Sequence, residues 1–433
     1  MAKIKKLIIA LLALLMIFSF QKGFSCSMYK VTVYGKTMVG SNYDAWWLTP
    51  RIWFETGTKA GNYGAAFTGG RHDGANGFAP QSGMNEFGLA FSRLAAHAPA
   101  KTILAATNKK TITNPTHYLK DIIHKCKTVE EVKNYINQYD HSFFIEDVFI
   151  YVDKSGSYLI VEPDTMTMGN EASYVLSNFC PSVTTDKDAR KLDRYRKGVD
   201  FLKEKTDTTI SFCTALSDSM HVCRKKIGDG TLLTSIWDLD KGITYLYFYH
   251  DYNHLVQFNL KDELAKGNHM IAVPSLFPPN AEFEKLRNFK IPQNSLPIMF
   301  FLLFCGGLFL FSAAFFLASF FKNRKASTYS FIKLALVPLG IITAYYMYVL
   351  ARNIGIFYFP APYRDNGFTI LHLAAYIPFL LLLLMIPLFA LNIKIIREHT
   401  WKFFPKLLFT LNTIAYLILI GLFAYWGLFN VFS

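Results

Sequence analysis

The pattern of apolar and polar positions divides the chain into regimes. Residues 7–20 are an apolar run broken only by Ser19, residues 26 to about 290 mix alternating and helically spaced apolar positions, and long apolar runs return from residue 296 onward. In the middle regime, residues 27–34 and 37–44 alternate like strands around a Gly35-Lys36 turn, which predicts a hairpin. Residues 148–162 read as strand, Asp153-x-x-Gly156 turn and strand, and residues 234–239 and 243–248 as a closing hairpin. Between them, residues 114–140 carry Pro115 near a start and apolar Leu119, Ile122, Ile123, Val129 and Val132 at helical spacing.

The first run has the form of a leader. Lys3, Lys5 and Lys6 precede an apolar core of signal-peptide length, shorter than the roughly 20 residues of a spanning helix. Gly23 and Ser25 are small at the −3 and −1 places before Cys26, as cleavage requires. Two rivals to cleavage are an uncut anchor and lipidation of Cys26, although a lipoprotein signal normally carries an aliphatic residue where Gly23 stands. The expected organisation is a signal peptide over 1–25, an exported domain over 26–290 and a membrane domain over 291–433.

Four apolar spans are expected in the last part, over residues 296–321, 331–350, 369–393 and 407–429. The first connection holds Lys322, Arg324 and Lys325, and the third holds Lys394, Arg397, Lys402 and Lys406, whereas the second has only Arg352 and Arg364 with Asp365. Positive-inside places the first and third connections in the cytoplasm, so the preceding domain and the C-terminus lie on the extracytoplasmic side of the plasma (inner) membrane. Within the spans, His372 reads as the ionisable candidate, and no chain of buried carboxylates suggests a pump or transporter.

Composition changes this picture little. The 433 residues are 52% hydrophobic and 18% charged, with a net charge of +14. Many basic residues sit in the leader and the loops between spans, where topology accounts for them, and no basic patch interleaved with aromatics points to nucleic acid.

Candidate chemistry centres on Cys26. Cleavage before it leaves a thiol and a free α-amine on one residue, with ordinary pKa values of about 8.5 and about 7.7–8.0, close enough to exchange a proton near neutral pH. The first hairpin brings Asp44 back beside Cys26, where a carboxylate can hold that amine. Spacing alone favours a plainer reading, in which Cys26 is a small buried residue and Asp44 a strand-end turn residue.

Cys26-Ser27, Gly40-Ser41-Asn42-Tyr43-Asp44-Ala45-Trp46 and Gly83-Met84-Asn85-Glu86-Phe87-Gly88-Leu89 resemble segments of the N-terminal-nucleophile (Ntn) cysteine hydrolases. Within them the chain is similar to the choloylglycine hydrolase and penicillin V acylase group and to the isopenicillin-N acyltransferase-like enzymes. The 148–162 hairpin, Tyr174-Val175-Leu176-Ser177-Asn178, Asp193-Arg194-Tyr195-Arg196 and the closing hairpin continue the resemblance in order to about residue 258.

The resemblance implies an α+β fold, a four-layer αββα Ntn-hydrolase sandwich, followed here by an all-α four-helix transmembrane domain. It also implies Cys26 as nucleophile with its α-amine as base, Asp44 positioning that amine, Asn178 donating its side-chain NH₂ to the oxyanion, and Arg194 orienting Cys26 or a carboxylate. The family's arginine before Asn-x-Asp is Ser41 here, and the bile-salt branch's second asparagine falls on Ala95, with Arg93 nearby, so the broader amide chemistry is expected rather than bile-salt hydrolysis. Asn85 is expected to end a turn.

The resulting expectation is a membrane-anchored exported amidase acting on a small N-acyl amide substrate, free or membrane-borne, through an acyl-thioester. An acyltransferase using the same site, and a catalytically silent anchored binding domain, are its rivals. Of six cysteines, Cys126, Cys180, Cys213 and Cys223 could form up to two bridges, with Cys213 and Cys223 the nearest pair, while Cys305 lies in an apolar span. His250 and His254 lack the glutamate of a zinc-protease helix, no glycine loop cradles phosphate, and neither cofactor nor metal is expected. Oligomeric state is left open.

Overall fold

The structure is a computed structural model that describes residues 25–45, 48–57, 61–96, 109–223, 230–322, 329–358, 361–362 and 373–430. It divides after Arg287 into two compact units.

The first unit holds two large antiparallel sheets. Its strands are β1 (Ser25–Val33), β2 (Lys36–Ala45), β3 (Arg51–Glu55), β4 (Ala65–Gly69), β5 (Ser82–Asn85), β6 (Ala90–Ala95) and β7 (Asp147–Val152). They continue with β8 (Tyr158–Val161), β9 (Met166–Gly169), β10 (Ser173–Leu176), β11 (Gly230–Asp238), β12 (Ile243–Phe248), β13 (Asp251–Asn259) and β14 (His269–Ala272). One sheet runs β10-β1-β2-β11-β12-β13, and the other runs β9-β8-β7-β6-β5-β4-β3-β14.

The β1–β2 hairpin turns one residue earlier than its pattern suggests. Tyr34 and Gly35 both take positive φ, 50° and 78°, the two-residue turn whose twist matches its strands, so Lys36 already belongs to β2. Strand alternation then sorts the side chains. Tyr29, Val31 and Met38 enter a core with Val175, Ile236, Cys213 and Leu216. Gly40 is required opposite Tyr29, because a Cβ there would lie 2.2 Å from the tyrosine ring. The ring passes over Gly40 so that its hydroxyl can donate to the Cys213 carbonyl at 2.6 Å.

Helices cover the outer face of each sheet. Asn114 caps α1 (Pro115–Lys125) by accepting from the His117 N–H, with Pro115 in the first turn. Thr128 caps α2 (Val129–Ile136) in the same way. Leu119, Ile122, Ile123, Val129 and Val132 are all buried against Phe67, Phe91, Phe149 and Leu159 of the eight-stranded sheet. On the six-stranded sheet, α3 (Asp193–Glu204) and α4 (Ile210–Ser219) supply Tyr195, Val199, Leu202, Cys213 and Leu216. The opposite faces of the two sheets meet each other, as in the 3.0 Å contact between Ser82 and Ser235 hydroxyls. The order of layers is helix, sheet, sheet, helix.

The second unit holds four helices long and apolar enough to cross a membrane: Leu296–Lys322, Ser330–Arg352, Ile377–Arg397 and Phe403–Tyr425. The fourth begins at Phe403 rather than residue 407, since Pro405 is tolerated in a first turn. The third begins at Ile377 rather than residue 369, residues 373–376 before it standing outside the helix, and His372 lies outside the described residues. Lys333 is a second ionisable residue within the expected spans. It is buried in the second helix, with its ammonium 5.0 Å above the Trp401 ring, so His372 is not the sole ionisable group within the spans. Polar bonds join these helices, including Asn412 Nδ2 to Ser312 Oγ at 2.7 Å.

Candidate active site

The site is built at the start of β1, where three neighbouring strands and one helix end converge. Pairing of β1 with β2 sets Cys26 opposite Tyr43 and Ser25 opposite Asp44. On the other side, Met28 pairs with Leu176, so Ser177 and Asn178 leave β10 alongside Cys26. Cys26 is 2% exposed.

Asn178 and Arg194 grip the main chain of Cys26. The Cys26 N–H donates to Asn178 Oδ1 at 2.7 Å, and Arg194 Nη2 donates to the same oxygen at 2.5 Å. Arg194 Nε donates to Ser177 Oγ at 2.7 Å and to the Cys26 carbonyl at 3.3 Å, which also accepts from Ser177 Oγ at 3.0 Å. The guanidinium fork is thereby fixed by partners on both strands, a geometry an ammonium could not reproduce. Arg194 stands in the first turn of α3, where Tyr195 and Val199 anchor the helix in the core.

The Asn178 amide is already engaged. Its Nδ2 donates to the Ala95 carbonyl at 2.6 Å, across the space between the sheets. Asp44 is 1% exposed, and its Oδ1 accepts from Thr231 Oγ1 at 2.5 Å. Asp44 therefore stands in β2 between Thr231 and the residue that precedes Cys26.

Two neighbours of the thiol come from the facing sheet and had no local signal. Gln81 Nε2 donates to Cys26 Sγ at 3.5 Å and to the Arg93 carbonyl. Arg93 makes a two-pronged ion pair with Asp147, at 2.7 and 2.8 Å. The position of Ser41 holds no charge, yet a positive field reaches Cys26 from Arg93 and Arg194. Nothing at residues 81 or 93 announces this, because it depends on two sheets meeting face to face.

In the continuous chain the thiol is quiet. Burial raises its pKa to about 12, with the Asp44 charge adding to the rise. The Asp44 backbone N–H, Arg194 and Arg93 pull the other way without overcoming it. Donors and cations line this site, a poor cradle for a metal cation.

Other sequence candidates are spent elsewhere. Asn85 accepts from the Phe87 and Leu89 N–H groups and donates to the Ile123 and Cys126 carbonyls, closing its turn against α1. Asn42 is bonded to the Ser217 carbonyl and to Thr234. His254 pairs with Asp251 at 2.8 Å while His250 faces Glu282 at 3.5 Å, so the two histidines do not act together. All six cysteines are unbridged, with Cys126 and Cys213 in the cores of opposite helix layers.

No family model matches the chain, and no curated protein does. Among solved structures it is similar to two variants of the conjugated bile acid hydrolase from Clostridium perfringens, at 14% and 15% identity. Each has a TM-score of 0.41 and covers 59% of this chain and 97% of the hydrolase. It is also similar to penicillin V acylase from Agrobacterium tumefaciens, at 14% identity and a TM-score of 0.38, over 52% of this chain and 82% of the acylase.

Proposed function

We propose that the chain is an exported, membrane-anchored Ntn amidase that hydrolyses a linear amide bond of a small N-acyl substrate through an acyl-thioester on Cys26. The observation that carries this reading is the gathering of functions on one residue. A thiol, the α-nitrogen beside it, a buried carboxylate and the Arg194–Asn178 pair meet at the point where the leader would be cut. The helix–sheet–sheet–helix order fits the αββα sandwich that this chemistry uses. The four apolar helices and the basic residues of their first and third connections support anchoring with the site outside.

Cleavage between Ser25 and Cys26 turns an amide nitrogen, which is no base, into an α-amine with an ordinary pKa of about 7.7–8.0. The amine takes the thiol proton, and the thiolate attacks the substrate carbonyl. The resulting oxyanion is met by an N–H of Asn178, held in place by Arg194. Collapse breaks the C–N bond, and the α-ammonium gives its proton to the departing amine. Water then attacks the thioester, losing its proton to the α-amine, and the carboxylic acid leaves as the thiol is restored. Asp44 holds the ammonium that forms in each half-reaction.

The test is the mass and N-terminal sequence of the mature protein from membranes, followed by acid-quenched reaction with a panel of N-acyl anilides. The expected result is a chain beginning at Cys26 that gains one acyl group, labile to hydroxylamine, on that residue. A retained leader, a diacylglyceryl-modified Cys26 or no acyl adduct across the panel would overturn the reading. Product amide formed from an added amine in preference to acid would reassign the chain as an acyltransferase.

A further inference from the structure

Away from this site, three side chains of metal-ligating type converge from three separate segments. Cys223 follows α4, and its backbone pairs in isolated antiparallel fashion with Gly230 at the head of β11. His250 lies in the turn between β12 and β13, and Glu282 lies in the first turn of the helix Ala281–Asn288. Glu282 Oε2 is 3.8 Å from Cys223 Sγ and 3.5 Å from His250 Nε2, and the three ligand atoms lie within 4.8 Å of one another.

These separations resemble the edges of a coordination tetrahedron. With zinc–nitrogen and zinc–oxygen distances of roughly 2.0–2.1 Å and zinc–sulfur of about 2.3 Å, neighbouring ligands stand about 3.3–3.6 Å apart. Two edges are within a few tenths of an ångström of that, and the third closes by rotation of the exposed Cys223 and Glu282 side chains. His250 is the fixed member. Its side chain is 10% exposed, and its ring packs on Tyr249 and stacks on His221 at 5.7 Å.

A catalytic relay among the same residues fits less well. In a relay the acid orients the imidazole from its far nitrogen, whereas here one carboxylate oxygen contacts both the thiol and Nε2. One thiolate and one carboxylate also balance the charge of a divalent cation, with neutral imidazole as third ligand.

We propose that Cys223, His250 and Glu282 bind one zinc ion, with water in the fourth position. The ion ties the segment after α4 to the far end of the six-stranded sheet. That segment is joined to Thr231, whose hydroxyl accepts from the Val222 N–H at 2.9 Å and donates to Asp44. Zinc therefore stiffens the stretch of chain that holds Asp44, a structural role independent of any reaction at Cys26.

The test uses full-length, tag-free protein in detergent, stripped by chelator and titrated with zinc against a chromogenic competitor, with cobalt(II) as a spectroscopic probe. The expected result is one zinc per chain and a thiolate-to-cobalt charge-transfer band. Cys223→Ser removes the band and weakens zinc binding at least ~10-fold, and Glu282→Gln weakens binding about 10-fold while keeping the band. Cys26→Ser leaves both unchanged. Both ligand variants change exposed side chains, and unaltered melting of the stripped proteins checks their folding. Sub-stoichiometric zinc in the parent protein, or unchanged binding in Cys223→Ser, would overturn the proposal.

Discussion

Cys26 and Cys126 are buried thiols that both stand near a pKa of about 12, chiefly through loss of water. Their surroundings differ in kind. Cys126 ends α1 and packs among Ile122, Ile123, Val129 and Phe67 in the helix–sheet core. Cys26 lies between the sheets, within reach of a carboxylate, two guanidinium groups and two amides. Burial alone silences a thiol equally in both places. What separates them is the polar framework around Cys26, which the proposed cleavage would put to use by making the neighbouring nitrogen a base.

The largest expected effect breaks the equivalence outright. Cys26→Ala removes N-acyl hydrolysis by a factor on the order of 10⁴–10⁶, while Cys126→Ala leaves kcat within about twofold. Steady-state rates on one substrate decide this. Alkylation followed by peptide mass spectrometry sharpens the contrast. Both thiols resist in the uncut chain, and only Cys26 gains reactivity after cleavage. Equal resistance in the mature protein would place Cys26 with the structural cysteines.

Arg194→Lys tests whether the fork matters beyond its charge. An ammonium cannot span Ser177, Asn178 and the Cys26 carbonyl, so kcat is expected to fall about 100-fold with KM little changed. A loss confined to KM would point to substrate binding instead.

Smaller effects belong to the Cys126 side. Glu55 joins β3 to α1 by accepting from Lys120 at 2.6 Å and from His124 at 3.1 Å. Burial would raise its carboxyl pKa, but the bonds from His124 and Lys120 outweigh that and hold it at about 2, below the ordinary 4.5. A depressed carboxyl contributes its stabilisation above the unfolded value and loses it as pH falls toward the folded one. Glu55→Gln should therefore cost about 2 kcal/mol at pH 7, and the difference should vanish as the pH falls from about 4.5 toward 2. Denaturant melts across that range check the sign. Cys126→Ser is expected to cost about 1–2 kcal/mol, from burying a hydroxyl in an apolar core, without changing the pH profile of the reaction.

Local patterns carried much of this architecture. The β1–β2 hairpin, the Asp153–Gly156 turn, both capped helices and the closing hairpin follow from alternation and turn chemistry. The meeting of Cys26 and Asp44 follows from one short hairpin. Gln81 is not legible, and Arg93 only as a neighbour of the Ala95 place, because their approach to the thiol is a contact between sheets that no spacing encodes. The Cys223–His250–Glu282 cluster was hidden for the same reason, its members lying on three elements far apart in the chain. The bridges left open among Cys126, Cys180, Cys213 and Cys223 are not formed, and even Cys213 and Cys223, nearest in sequence, are apart, one in the core and one at the surface.

The register that sets Ser25 opposite Asp44 bears on the life history of the protein. In the continuous chain the buried carboxylate leans on a threonine hydroxyl, and an amide bond occupies the neighbouring strand. Under the proposed function, cutting that bond would deliver a cation beside a buried anion. Maturation of that kind would act as a late fastening of the fold as well as the birth of a catalyst. The processed domain should outlast its precursor against heat and proteases, so that a molecule that misses its cut is also the one cleared first.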